Sequence, residues 1–252
     1  MTSNNARSFG WFQVARLGVV QACLGAMVVV ATSTLNRIMV VELSLPALVP
    51  GLLVGFHYVV QVVRPRMGFG ADQGRRCTPW MLAGVFTLAI GGTLASWATA
   101  WMAQHFVQGL MVCALAFALI GLGVSACGTS LLALMAKRVP EDMRAPAATT
   151  VWVMMIMGFA ITAVTVGKLI EPYSPERVIE VTAGLGLLIC GLTALSLWGL
   201  EGAASALKPP LAPSEDRSAH SSGNPTGNAT AKVTAFRLAL AQAWADPQAR
   251  LF

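Results

Sequence analysis

No Asp, Glu, Lys or Arg occurs between Arg76 and Lys137. That run is long enough for two bilayer crossings of about 20 residues each. A soluble domain carries about 25% charged residues. Here 11% of the 252 residues are charged and 56% are AVILMFWYC, with a mean hydropathy of +0.66. The charges that do occur are clumped between apolar stretches. A disordered chain, a coiled coil, a collagen and an ordinary soluble enzyme all fit this pattern poorly. An integral membrane protein fits it.

Six apolar segments are expected to span, at about residues 17–41, 47–63, 79–101, 109–136, 147–170 and 178–200. Only helices and closed barrels satisfy every backbone polar group in lipid. Barrel strands alternate in polarity over about 10 residues, whereas these runs are continuously apolar. The fold class is therefore all-α, a polytopic bundle of six transmembrane helices. The first run follows Arg7 and Arg16 but reaches Val41. It is too long for the apolar core of a signal peptide and reads as a retained helix.

Loop charge sets the orientation. With residues 1–16 in the cytoplasm, the inner segments hold Arg7, Arg16, Arg64, Arg66, Arg75, Arg76, Lys137, Arg138, Arg144, Lys208, Arg217, Lys232, Arg237 and Arg250. The outer segments hold only Arg37, Lys168 and Arg177. By the positive-inside rule both termini are cytoplasmic, and in a cell with an outer membrane the chain is expected in the inner one. The net charge of +6 is then topogenic, meets lipid, and implies no nucleic-acid partner.

Composition shifts after Leu200. Residues 201–235, with Pro209, Pro210, Pro213 and Pro225, read as a flexible cytoplasmic linker. In residues 236–252, Phe236, Leu240 and Trp244 recur every four positions, as in an amphipathic stretch at a membrane surface. The linker reads as a connection to an absent second half. Five cysteines with no CxxC indicate neither a disulfide framework nor a zinc site.

Chemistry is sparse in the spans. HExxH, GxSxG and the P-loop pattern are absent, and Glu141 and Asp142 have no His or Cys beside them. The sequence reads as a protein that is not an enzyme, with no metal site. His57 is the one histidine inside a span. A hydrogen bond to a neighbouring helix is the plain reading; a ligand role for a ring nitrogen is the sharper one. Asn36, Arg37 and Glu42 sit at the outer end of helix one. They either snorkel to the headgroups or serve a gate or a partner contact. Gly51 and Gly55 form GxxxG, and Gly121, Gly123, Ser125 and Gly128 make a small-residue face. Both patterns read first as helix-packing sites, with the lining of a substrate path as the alternative.

The loop from Arg64 to Trp80 carries Arg64, Arg66, Gly68, Asp72, Gly74 and Arg76. Read plainly, it is a solvated basic loop. Its spacing resembles the motif between helices two and three of major facilitator superfamily transporters, where an acid and basic residues latch the two halves on the cytoplasmic side. The run from Thr32 to Pro46, Arg64-Pro-Arg66 with Asp72, and Thr78-Pro-Trp80 are similar to the PucC/LhaA family, the bacteriochlorophyll delivery branch of that superfamily. Val151 to Phe159 and Trp244 to Arg250 are similar too. Arg75 stands where Gly is expected and Cys77 where Arg is usual.

This resemblance implies a twelve-helix protein of which the chain covers the first half. It also implies assembly of LH1-type light-harvesting complexes and carriage of bacteriochlorophyll or chlorophyll, with His57 a weak candidate ligand. Implied partners are light-harvesting polypeptides or a reaction-centre–light-harvesting assembly, and a second six-helix half or a homodimer. A generic secondary transporter of the same superfamily is the alternative.

Overall fold

The computed structural model describes residues 9–66 and 76–201. Six helices are long and apolar enough to cross a membrane: α1 (Trp11–Glu42), α2 (Leu48–Arg66), α3 (Thr78–Met102), α4 (Phe106–Arg138), α5 (Glu141–Leu169) and α6 (Pro175–Leu197). The chain is an all-α, multi-pass membrane protein. Each helix overlaps one of the six apolar segments, and α1, α3 and α4 run past theirs at both ends. Lys137 and Arg138 form the last turn of α4, and Glu141 and Asp142 the first turn of α5. Each sign suits the helix dipole at its own end.

Local chemistry sets several boundaries. Gly10 donates to Gln13 Oε1 at 3.0 Å, which starts α1. The Ser174 hydroxyl accepts from the Arg177 amide at 3.2 Å, and Pro175 follows as the first residue of α6. Gly199 closes α6 at φ +68°, a left-handed position that suits a residue without a Cβ. α1 is not uniformly wound. Val30–Thr34 and Ile38–Glu42 are π-helical, and Leu35–Arg37 between them is α-helical.

The most extensive packing is α3 on α4, followed by α1 on α5, α3 on α6, α1 on α6 and α2 on α4. Exchanging helices one to three with helices four to six maps these principal pairs onto one another. With an odd number of crossings per triplet, the two triplets enter the membrane from opposite sides, the arrangement of an inverted repeat. The core includes Leu17, Met27, Met81, Leu88, Phe117, Ile120 and Leu131, each under 2% exposed.

Lipid is as apolar as leucine, so helices associate in it through close packing. A Cβ at Gly84 would lie 2.6 Å from the Cys127 amide nitrogen, and one at Gly123 2.6 Å from the Gly84 carbonyl oxygen. α3 and α4 therefore meet backbone to backbone. Gly121 serves α2 in the same way, its Cβ position lying 2.8 Å from the His57 carbonyl oxygen. Gly51, Gly55 and Gly128 do not pack: nothing lies within 4 Å of a Cβ at any of them. The GxxxG of α2 faces outward because α2 turns His57 and Leu53 toward the bundle instead.

Burial divides the helices. In the most apolar window of each, α1 is 61% buried and α3 and α4 are 56%, but α2 and α5 are 17%. Phe56, Val59 and Val62 on α2 and Trp152, Ile156 and Ile161 on α5 are exposed.

Candidate functional site

Two polar regions stand at opposite ends of the bundle. The basic end gathers the α2–α3, α4–α5 and α6 termini. On α2, His57, Gln61 and Arg64 stack along one face. The Gln61 side-chain amide donates to His57 Nε2 at 2.7 Å, and Gln61 Oε1 accepts from the Arg64 guanidinium. A 3₁₀ turn at Gln61–Val63, with three residues per turn, brings Arg64 directly over Gln61. The His57 ring is 1% exposed. Its Nδ1 is buried without a well-formed hydrogen bond, beside the Phe117 backbone of α4. Arg66 is exposed at the end of α2, and Arg76 is exposed just before α3. Gly68, Asp72 and Gly74 of the latch pattern lie outside the described residues.

Two further contacts tie this end together. Glu201, just past α6, accepts through Oε1 from the Cys77 amide at 2.8 Å and through Oε2 from the Thr78 amide at 3.0 Å. A carboxylate thus caps the positive end of α3. Arg16 of α1 donates to the Ser196 carbonyl at 2.8 Å and to the Trp198 carbonyl, capping α6. Cys77, which the sequence places in a basic loop, is 2% exposed and part of the core. From the sequence, Tyr58 and Gln61 could each extend a hydrogen-bond network from His57; the structure makes Gln61 the connector, whereas the sequence alone places Glu201 in the linker. The i, i+4, i+7 spacing of His57, Gln61 and Arg64 was the available signal for Gln61. Nothing local signals a cap supplied from 123 residues away.

At the other end, Arg37 of α1 pairs with Glu171 of the α5–α6 connection at 3.9 Å. Both side chains are more than half exposed, so the pair is worth about 0–1 kcal/mol. Glu42 lies close enough to Tyr173 to act on its phenol. Burial, then Glu42 and Glu176, push the Tyr173 phenol above the usual tyrosine range. Asn36 and Arg37 fall in the α-helical step between the two π-helical stretches. Single π turns inside helices often mark functional positions. Among the described residues no group of three or more His, Cys, Asp or Glu could hold a metal ion.

Comparison with known proteins gives this arrangement a family. Residues 34–243 match the family described as PUCC protein, well over half of the chain. The chain belongs to the PucC family. It is 43% identical over 247 residues to a Rhodobacter capsulatus protein named bacteriochlorophyll synthase 44.5 kDa chain, a match covering 97% of this chain and 53% of that protein. It is 29% identical over 203 residues to Protein PucC of Cereibacter sphaeroides, covering 75% of this chain and 44% of the relative. A Rhodobacter capsulatus protein described only by its position between puhA and bchM is 28% identical over 205 residues. This PucC-family chain thus spans about half the length of the relatives it matches. No solved structure matches it significantly.

The family resemblance implies a chlorin pigment, and His57 is the candidate ligand. In this packing a chlorin does not fit there. Nε2 is taken by Gln61, the ring is buried, and the Cβ position of Gly121 leaves no gap between α2 and α4. Ligation would require Gln61 to leave Nε2 and α2 to part from α4.

Proposed function

We propose that this PucC-family chain is the first six-helix half of a non-enzymatic assembly factor for photosynthetic light-harvesting complexes of the LH1 type, and a carrier of bacteriochlorophyll or chlorophyll. Family membership carries this reading: the match over residues 34–243, and a relative at 43% identity whose name refers to bacteriochlorophyll. The chain's own residues supply a surface. The thinly buried α2 and α5 each expose aromatic and branched side chains, surfaces that suit a flat apolar pigment or a hydrophobic polypeptide helix. The partners are light-harvesting polypeptides or a reaction-centre–light-harvesting assembly, together with a second six-helix half or a second copy. The basic end lies at the cytoplasmic leaflet of a bacterial inner membrane, where anionic lipid favours Arg and Lys. Both termini are then cytoplasmic; of the linker expected at 201–235 and the amphipathic stretch expected at 236–252, all but Glu201 lies outside the described residues.

The test is gentle purification of the tagged protein from a pigmented native host, with an absorption spectrum and a mass-spectrometric partner list. A chlorin band together with light-harvesting polypeptides is expected. A colourless protein without such partners would sink the reading.

A second reading has one observation in its favour. The exchange of helix triplets that preserves the packing pairs is what half of a major facilitator transporter requires. On that reading the Arg64–Arg76 loop latches the halves during alternating access, with Asp72 as its acid. Substrate flux in vesicles that is lost in Asp72→Asn with normal insertion would favour the transporter over the assembly factor.

A further inference from the structure

The three stacked side chains on α2 have a property that follows from donor and acceptor counting. Arg64 can only donate, so it must face the amide oxygen of Gln61. That leaves the Gln61 NH₂ for His57, and His57 Nε2 must then be the accepting, unprotonated nitrogen. Should Nε2 acquire a proton, the amide would have to turn and offer it the oxygen, and Arg64 would lose its acceptor. A protonated His57 and an Arg64–Gln61 bond therefore exclude each other. The geometry is built for this coupling: His57 and Gln61 are one α-helical turn apart, and the 3₁₀ turn places Arg64 over the same amide.

We infer that Gln61 is a two-position relay that reports the state of the buried His57 Nε2 to Arg64, the residue that opens the basic connection between α2 and α3. The inference stands apart from pigment binding, since a proton alone suffices to move the amide. The surroundings of His57 hold few competing groups. On α2 these are Tyr58, edge-on at 5.0 Å between ring centroids, and Arg64 itself. α4, the helix packed against it, carries no Asp, Glu, Lys or Arg from Phe106 to Ala136, its titratable groups there being Cys113 and Cys127. α1 touches α2 around Leu35–Arg37, so its one charge there, Arg37, belongs to the far end of the bundle.

The experiment places a nitroxide on Arg66→Cys, the exposed last residue of α2, two positions after Arg64, in the full chain reconstituted in lipid. The spectrum of the unsubstituted chain under the same labelling is subtracted. Lowering the pH from 8 to 5 should at least double the mobility of the label, reversibly. Gln61→Leu, which keeps His57 and Arg64 but breaks the relay, should remove the response. So should His57→Gln, which stays neutral throughout. A purely structural role would shift mobility equally at both pH values and leave the response in place. A response that persists in Gln61→Leu, or a reporter that does not respond at all, overturns the relay. Because Gln61→Leu alone is decisive, failure of His57→Gln to fold would leave the test intact.

Discussion

Two glycine patterns sit on neighbouring helices and do opposite things. Gly84 and Gly123 bring α3 and α4 into backbone contact, whereas the GxxxG of α2, Gly51 and Gly55, faces open space. Both are small-residue motifs of the kind that joins membrane helices. What separates them is the rest of the helix surface. α3 is lined on its inner face by Met81, Val85 and Leu88, all fully buried. α2 instead commits its buried stripe to Leu53 and His57 and leaves its glycines outside. A small-residue motif marks a face on which another helix can approach, and it is silent on whether that helix is in the same chain.

The α3–α4 seam should be the hardest to disturb without loss. Gly123→Ala forces a methyl against the Gly84 carbonyl, and backbone cannot give way as a flexible side chain can. Overpacking of this kind costs about 1–3 kcal/mol. The expected result is a clear drop in thermal midpoint by tryptophan fluorescence and poor recovery of monodisperse protein; an unchanged midpoint would refute the seam. Next comes the borrowed cap. Glu201→Ala removes the acceptor of two helix-terminal amides and should cost about 1–2 kcal/mol, with Glu201→Gln recovering part of it in the same assay.

On the open side, Gly55→Ala should be neutral or stabilising by up to about 1 kcal/mol, since alanine is the better helix former and nothing is there to clash. Loss of association with a second half or a second copy in Gly55→Leu, with the midpoint retained, would identify the outward glycines as an intermolecular contact. The smallest effect concerns the far end. The Tyr173 phenol is held above its ordinary value by burial and by Glu42 and Glu176. Its stabilising contribution is thus fully present below about pH 10, the unfolded value, and is lost as pH rises through the folded one. In a Tyr58→Phe background, ultraviolet titration should show Tyr173 ionising above the ordinary tyrosine range, and Glu42→Gln should bring it earlier.

Much of the architecture was legible before any coordinates. The uncharged run between Arg76 and Lys137 demands α3 and α4, and clumped charge dictates where the turns fall. His57 stood out because titratable groups are rare at that depth. What could not be read was which face each helix turns inward, because all six are apolar nearly all round and lack the amphipathic stripe that orients a helix in water. That is why the GxxxG of α2 invited a packing reading and why Cys77 looked like a loop residue. The role of Glu201 was hidden for a different reason: its partners are remote in sequence, and a carboxylate beside a proline-rich segment carries no local sign of a cap.

The contact of Glu201 with Cys77 and Thr78 also imposes a timetable on biosynthesis. Thr78 is made 123 residues before the carboxylate that completes its helix start. At a synthesis rate of 5–20 residues per second, roughly 6–25 seconds pass between the two. During that interval the Cys77 and Thr78 amides lack the acceptor that Glu201 later supplies. The residue that completes the start of α3 is thus made only after all six helices.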